Sequence, residues 1–153
     1  MQLTLYTDYS LRVLIYLGTH DGRLATVSEI ARSYGISRNH LVKVVHNLSQ
    51  QGFVKTTRGK GGGISLARAP GRINVGDVVR HTEIDFHIVE CFDPASMTCP
   101  IIPACLLRRV LREASSAFMK VLDSYTLADL LKNRNQVAVL LPVPRKRAAG
   151  ARR

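Results

Sequence analysis

Apolar residues along the chain recur first at helical spacing, then alternate, then return to helical spacing, and this order predicts the elements. Leu3, Leu11, Leu14, Ile15 and Leu17 define a first helix over residues 3–19, with Thr7 and Asp8 placed to cap or begin it. Thr26-Val27-Ser28-Glu29 fits a capping box, so a short helix is expected to run to about Tyr34 and to end at Gly35, where glycine supplies a left-handed backbone. Ser37 can cap the next helix, whose apolar stripe is Leu41, Val44, Val45 and Leu48. Two helices joined by a glycine turn make a helix-turn-helix. The pattern then changes period. Phe53 to Thr57 and Ile64 to Leu66 read as strands around the turn Arg58-Gly59-Lys60-Gly61-Gly62-Gly63, which together form a hairpin wing. A short helix follows over Ile73–His81, starting near Asn74 or Val75. Pro94, Pro100 and Pro103 break the stretch from about Asp85 to Pro103 into a loop. From Ala104, Leu107, Val110, Leu111, Ala114, Phe118, Val121 and Leu122 mark a helix of about five turns. Thr126 caps a last short helix over Leu127–Leu131.

The predicted fold is mainly α: a winged helix-turn-helix over residues 1–81, a cysteine-bearing loop over 82–103, a long helix with a short C-terminal one over 104–141, and a disordered tail over 142–153. A long helix with an apolar stripe this far from the compact N-terminal unit needs a surface to bury against, and a second protomer is the obvious candidate. At 153 residues the chain has roughly the length of one ordinary domain and enough to bury a core.

Charge adds a direction to this picture. The net charge is +11, and it is unevenly spread: residues 1–81 carry 11 basic and 4 acidic side chains, residues 82–144 carry 6 and 7, and residues 145–153 carry 5 and none. The positive field therefore belongs to the predicted reader and to the tail, whose Arg145, Lys146, Arg147, Arg152 and Arg153 can add non-specific attraction to phosphates. No apolar run approaches the roughly 20 residues that a spanning helix requires, and the N-terminus lacks a basic region and cleavage site. A cytoplasmic protein with no membrane partner is expected.

The first residues of a second helix in a helix-turn-helix face base edges in the major groove of double-stranded DNA. Here they are Ser37, Arg38, Asn39 and His40, with Lys43 one turn on and Ser28 on the helix before. Arg suits guanine O6 and N7, Asn suits adenine N6 and N7, and Lys suits phosphate or guanine. On the wing, Arg58 and Lys60 alternate with glycines that let the backbone approach closely, so the tip can set cations on phosphates or in the minor groove. A nucleotide-phosphate loop would need a helix directly after it, and Ile64-Ser65-Leu66 reads as a strand.

Three cysteines, Cys91, Cys99 and Cys105, are the only ones in the chain, and all fall in or beside the Pro-containing loop. In a reducing compartment an odd set of three argues for metal ligation or thiol chemistry rather than a closed disulfide framework. The spacing C-x7-C-x5-C is too wide for the C-x2-C pairs of usual zinc sites, whereas an iron–sulfur cluster tolerates it. Three thiolates leave a fourth position, for which Asp8, Asp85, His87, Glu90 and Asp93 are candidates. An oxygen ligand there would be weaker and exchangeable, leaving an iron open to a small molecule. A thiol redox enzyme is the competing class, but the chain has no C-x-x-C motif and no strand framework around the cysteines. A cluster-free interaction protein is a third, and would be colourless.

Several stretches together resemble the NsrR and IscR group of winged-helix iron–sulfur regulators, most closely its nitric-oxide-sensing branch. They are Met1-Gln2-Leu3-Thr4, Thr7-Asp8-Tyr9 and Leu11-Arg12 in the first helix, Gly35 to Lys43 in the reader, Arg58 to Gly63 in the wing, Gly76 to Arg80, Pro103-Ala104-Cys105, and Tyr125 to Leu130. The resemblance covers roughly residues 1–140. It implies a homodimer through the long helix, a cluster held by Cys91, Cys99 and Cys105, and Asp8 of the other protomer as fourth ligand, with 4Fe-4S favoured over 2Fe-2S. The iron–sulfur-biogenesis branch places a histidine three residues after the third cysteine, where this chain has Arg108. The first cysteine interval is longer than the family's usual five or so residues. The expected function is a repressor, not an enzyme, that grips a palindromic operator and releases it on nitrosylation of its cluster; a regulator reading iron–sulfur supply or redox state on the same fold is the alternative.

Overall fold

The computed structural model describes residues 2–143, so all but the first two residues of the predicted tail lie outside the described residues. Helix α1 spans Leu5–Thr19. Its cap is Thr4, not Thr7 or Asp8: the Thr4 hydroxyl accepts from the Thr7 amide at 3.3 Å. Thr7 lies inside the first turn, fully buried, and donates its own hydroxyl to Thr82 at 2.9 Å, which removes it from the capping role.

Helices α2 (Val27–Tyr34) and α3 (Arg38–Gln50) form the predicted pair around Gly35, whose φ of 65° is the left-handed value that glycine adopts without strain. Thr26 caps α2 by accepting from the Glu29 amide at 3.1 Å. The other half of the expected capping box is not made, because the Glu29 carboxylate turns to Arg23 and accepts from the Tyr16 hydroxyl at 2.7 Å. Burial works against the Glu29 charge, but the hydrogen bonds from Arg23 and Tyr16 outweigh it and hold the carboxyl below its ordinary range.

Strands β1 (Val54–Thr57) and β2 (Gly63–Leu66) pair antiparallel, with Val54 opposite Leu66 and Thr57 opposite Gly63. Phe53, expected in the strand, is instead a buried core residue just before it. Ala25 exchanges two backbone hydrogen bonds with Ile64, at 2.9 and 2.7 Å, and so fastens β2 to the stretch just before α2.

Helix α4 (Val75–Thr82) starts where Asn74 accepts from the Asp77 amide at 3.0 Å. Three 3-10 turns then break the cysteine loop: Glu90–Phe92, Pro94–Ser96 and Ile102–Ala104. Pro94 and Pro103 sit in the first positions of their turns, where no amide is needed and the ring-fixed φ fits, so these prolines start short helical turns rather than only excluding regular structure. Helix α5 runs from Leu106 to Asp123, five turns or about 27 Å. After it come α6 (Leu127–Leu130), opened by the Thr126–Asp129 capping box, and α7 (Arg134–Leu140), which the polar start Arg134-Asn135-Gln136 concealed in the sequence.

Among the described residues the core forms one main cluster. Val13, Leu14, Tyr16 and Leu17 of α1 meet Ile30 of α2, the predicted stripe Leu41, Val44, Val45 and Leu48 of α3, Phe53, Val54 and Ile64 at the wing, and Ile73 and Val78 around α4. Leu127 and Leu131 fold back into the same cluster, with Leu131 packed so closely on Gly18 that a side chain there would collide with it. No residue of α5 is buried within this chain.

Candidate nucleic-acid interface and cysteine loop

The apolar stripe of α3 faces the core, which leaves its opposite face to solvent. Ser37, Arg38, Asn39, His40 and Lys43 are all exposed on that side. Ser37 occupies the N-cap position but makes no capping hydrogen bond, so its hydroxyl is left for another partner. Arg38 reaches back to α2, where its Nε donates to the half-buried Ser28 hydroxyl at 3.1 Å. That bond holds the guanidinium by one nitrogen and leaves the Nη pair for a planar acceptor.

Two tyrosines of α1 support the same helix, and sequence reasoning gave them no role there. The Tyr9 ring stacks on His40 with centroids 6.4 Å apart, and the Tyr6 hydroxyl donates to the Lys43 carbonyl at 3.3 Å. Their spacing of three residues on α1 was the available signal, since side chains three apart share one helix face.

Arg58 and Lys60 are exposed at the wing tip, flanked by Gly59 at φ 99° and Gly61 at φ 83°. A side chain at Gly62 would collide with the Thr57 carbonyl, so the tight turn that presents the two cations requires glycine there.

Cys91 and Cys105 are half-buried, Cys99 is exposed, and all three are free thiols. Cys105 is also the N-cap of α5, its sulfur accepting from the Arg108 amide at 3.4 Å. The Arg108 guanidinium reaches the Met97 sulfur at 3.7 Å, and Arg112 lies 5.9 Å from the centre of the Phe92 ring, so the first turns of α5 hold the loop that carries the cysteines. Among the described residues of one chain, no three His, Cys, Asp or Glu side chains come close enough to hold a metal ion. The donor set nevertheless has the soft, free thiols that an iron–sulfur cluster takes.

The oxygen candidates differ in what already occupies them. Asp93 accepts from the Ala95 amide and the Ser96 hydroxyl, which hold its carboxyl below the ordinary range. Asp85 accepts from the His87 amide at 2.9 Å. Asp8 pairs with Arg12 at 2.7 Å on the surface of α1.

A winged helix-turn-helix with an exposed, cation-bearing reader face, joined to a cysteine loop and a long helix, defines a DNA-binding regulator. The chain belongs to the Rrf2 family, described as iron-dependent transcriptional regulators, which matches residues 3–133. It is 54% identical over 142 residues to the HTH-type transcriptional regulator NsrR of Bacillus subtilis (strain 168), covering 92% of this chain and 97% of that one. It is 51% identical to the regulator of the same name from Bacillus licheniformis, with 92% and 99% covered. Among solved structures, CymR of B. subtilis, the global cysteine regulator, matches with a TM-score of 0.70 at 28% identity, over 87% of this chain and 98% of that one. T. potens IscR matches with a TM-score of 0.71 at 28% identity, over 90% of each. The chain is thus a transcriptional regulator rather than an enzyme, and its mainly helical fold with a two-stranded wing is the fold of these neighbours. No helix among the described residues is long and apolar enough to cross a membrane.

Proposed function

We propose that the chain is a cytoplasmic, homodimeric repressor that binds a palindromic operator when Cys91, Cys99 and Cys105 hold an iron–sulfur cluster, and that nitric oxide releases it. The observation that carries this reading is the position of Cys105: the third thiol of the set is itself the N-cap of α5, so the state of the sulfur bears directly on how that helix begins. The loop lies between the reader and α5, the helix for whose apolar stripe the second protomer is the proposed partner. A change at the thiols therefore bears on the tilt and spacing of two α3 helices, which must fit half-sites about one DNA turn apart.

Bound there, a cluster supplies iron open to attack by a small molecule. Asp8 of the partner subunit is the proposed fourth ligand, by resemblance to the nitric-oxide-sensing branch, and a carboxylate ligand favours 4Fe-4S over 2Fe-2S. In one chain Asp8 is paired with Arg12, so serving as a ligand requires it to give up or share that partner. Ser28, Ser37, Arg38, Asn39, His40 and Lys43 would meet the major groove, and Arg58 and Lys60 the phosphates or minor groove. The runner-up, a regulator of the same build that reads iron–sulfur supply or redox state, draws on the family's description as iron-dependent.

Anaerobic purification with absorption and Mössbauer spectra, followed by titration with nitric oxide while operator binding is read by gel shift, tests the proposal. A brown protein whose bleaching tracks release of DNA is expected. Release by iron starvation or oxidant but not by nitric oxide moves the reading to the runner-up, and a colourless anaerobic protein removes the cluster from it.

A further inference from the structure

Asp123, the last residue of α5, is fastened to α4 from several directions. Arg80 Nη1 and Nη2 donate to its two carboxylate oxygens, each at 2.6 Å. Asn74, the cap of α4, donates through Nδ2 to the Asp123 carbonyl at 2.7 Å. The Val75 amide donates to the Tyr125 carbonyl at 2.9 Å, and the Leu127 amide to that of Ile73 at 2.8 Å. Gly76 lies under the carboxylate, and any side chain there would collide with it. Gly76 and Arg80 are one turn apart on α4, so they present a single face that receives Asp123.

The other end of α5 is its Cys105 cap, and the loop from Glu83 to Cys105 returns to α4. There Glu83 accepts from the Thr4 amide at 2.8 Å and the Thr4 hydroxyl at 3.1 Å, tying the end of α4 to the start of α1. The two rods pack against each other, are pinned by polar groups at the end of α5, and are bridged at the other end by the cysteine loop. A groove of about 470 Å³ beside the pin is lined by residues of both rods and of the loop, among them Arg80, Phe86, Phe92, Arg112 and Met119. No residue of α5 is fully buried, and Leu111, Phe118, Met119 and Leu122 are only half-buried, so the polar pin adds a directional fixed point to a shallow packing between the rods. Arg80 holds the Asp123 carboxyl below its ordinary range, so the pair persists at neutral pH.

We infer that the Arg80–Asp123 pair, seated on Gly76, is the fulcrum about which a change in the cysteine loop is converted into a tilt of the DNA reader. In this role Arg80 and Asp123 are positioning residues, acting through α4 and α5 on groups they do not themselves hold. The inference rests on the proposed cluster control of DNA binding. Loosening the pin leaves each half of the molecule competent and disconnects them.

The test measures operator affinity of the full-length dimer, cluster-loaded and cluster-free, for the parent, Asp123→Asn, Arg80→Gln and the double variant. Absorption spectra and urea midpoints are recorded for each. Asp123→Asn keeps the shape that fits Gly76 and removes the charge. The expected result is a ratio of loaded to free affinity that falls about 5-fold or more in each single variant, with the double no worse than either, and with the loaded spectrum and the urea midpoint unchanged. Gly76→Ala, which displaces the carboxylate without touching either charge, should lower the ratio too. Variants that keep the parent ratio, or that lose affinity equally in both states, overturn the fulcrum, because the second outcome is what a merely structural pair would give. A parent whose two forms bind alike instead removes the proposed function, and the coupling with it, so the parent's own ratio tells the two failures apart.

Discussion

Arg38 can meet a guanine only if its guanidinium plane is presented edge-on, and a free arginine on a solvent face samples many rotamers. The Ser28 hydroxyl, accepting from Nε at 3.1 Å, limits that freedom and leaves the Nη pair pointing onward. The proposed role of Ser28 at the groove is therefore to orient Arg38. In a selection from randomised operators, Ser28→Ala should relax base preference at one position in each half-site, at a cost of about 1 kcal/mol. Ser28→Thr should keep the preference. Uniform weakening across all sequences would instead mark Ser28 as a phosphate contact. Glu29, one residue on, makes a different kind of contribution. Its carboxylate serves Arg23 and Tyr16, and its pKa is depressed, so the stability it lends is present above the ordinary Glu value of 4.5 and is lost as pH falls through the depressed one. Urea midpoints measured downward from neutral pH should therefore fall below pH 4.5 less steeply in Glu29→Gln than in the parent. At neutral pH that variant should cost about 1–3 kcal/mol for the partners left behind.

The elements most legible in the sequence were those whose period and punctuation agree. The α2–Gly35–α3 unit stands where the pattern put it, and so does the wing apart from Phe53, because a single glycine conformation and a buried stripe each admit one arrangement. The boundaries that shifted did so where a tertiary partner outbid a local one: Thr7 is drawn to Thr82, and the Glu29 carboxylate to Arg23 and Tyr16. Helix α7 escaped notice because its first three residues are polar and it follows α6 almost at once. At the candidate site the sequence pointed to residues that prove exposed on α3 but not to the tyrosines that brace them, since Tyr6 and Tyr9 act across elements that only folding brings together. The wing makes its own prediction. Arg58 and Lys60 are exposed, free of ion pairs among the described residues, and set in a glycine turn that carries no other side-chain information. Arg58→Ala with Lys60→Ala should weaken binding to all sequences and reduce the slope of log affinity against log salt by about 2, measured by fluorescence anisotropy from low to moderate salt. A slope that does not change would mean that the wing stays off the phosphates.

At the scale of the whole molecule the exposed stripe of α5 decides how two copies act together. Its sequence stripe predicted a partner, and the folded chain leaves Leu107 at 64%, Val110 at 57% and Val121 at 58% exposure, while Leu111, Phe118 and Leu122 are half-buried. The same chain closes its core without α5, through Leu127 and Leu131 of the segment that follows. Reader and long helix are therefore separable in energy: a charge placed on the stripe should spare the fold and strike only the assembly. Val110→Glu should sediment as a monomer with an unchanged thermal midpoint and an intact wing. Each monomer would then bind one half-site, and the loss of linkage between half-sites should lower affinity for a palindromic operator by about 10²–10⁴-fold, while binding to an isolated half-site stays as it was. A Val110→Glu protein that remains dimeric places the interface on another surface. A monomer that still binds the palindrome at full strength would mean that the two readers never act together, and with that the route from cysteine loop to half-site spacing would close.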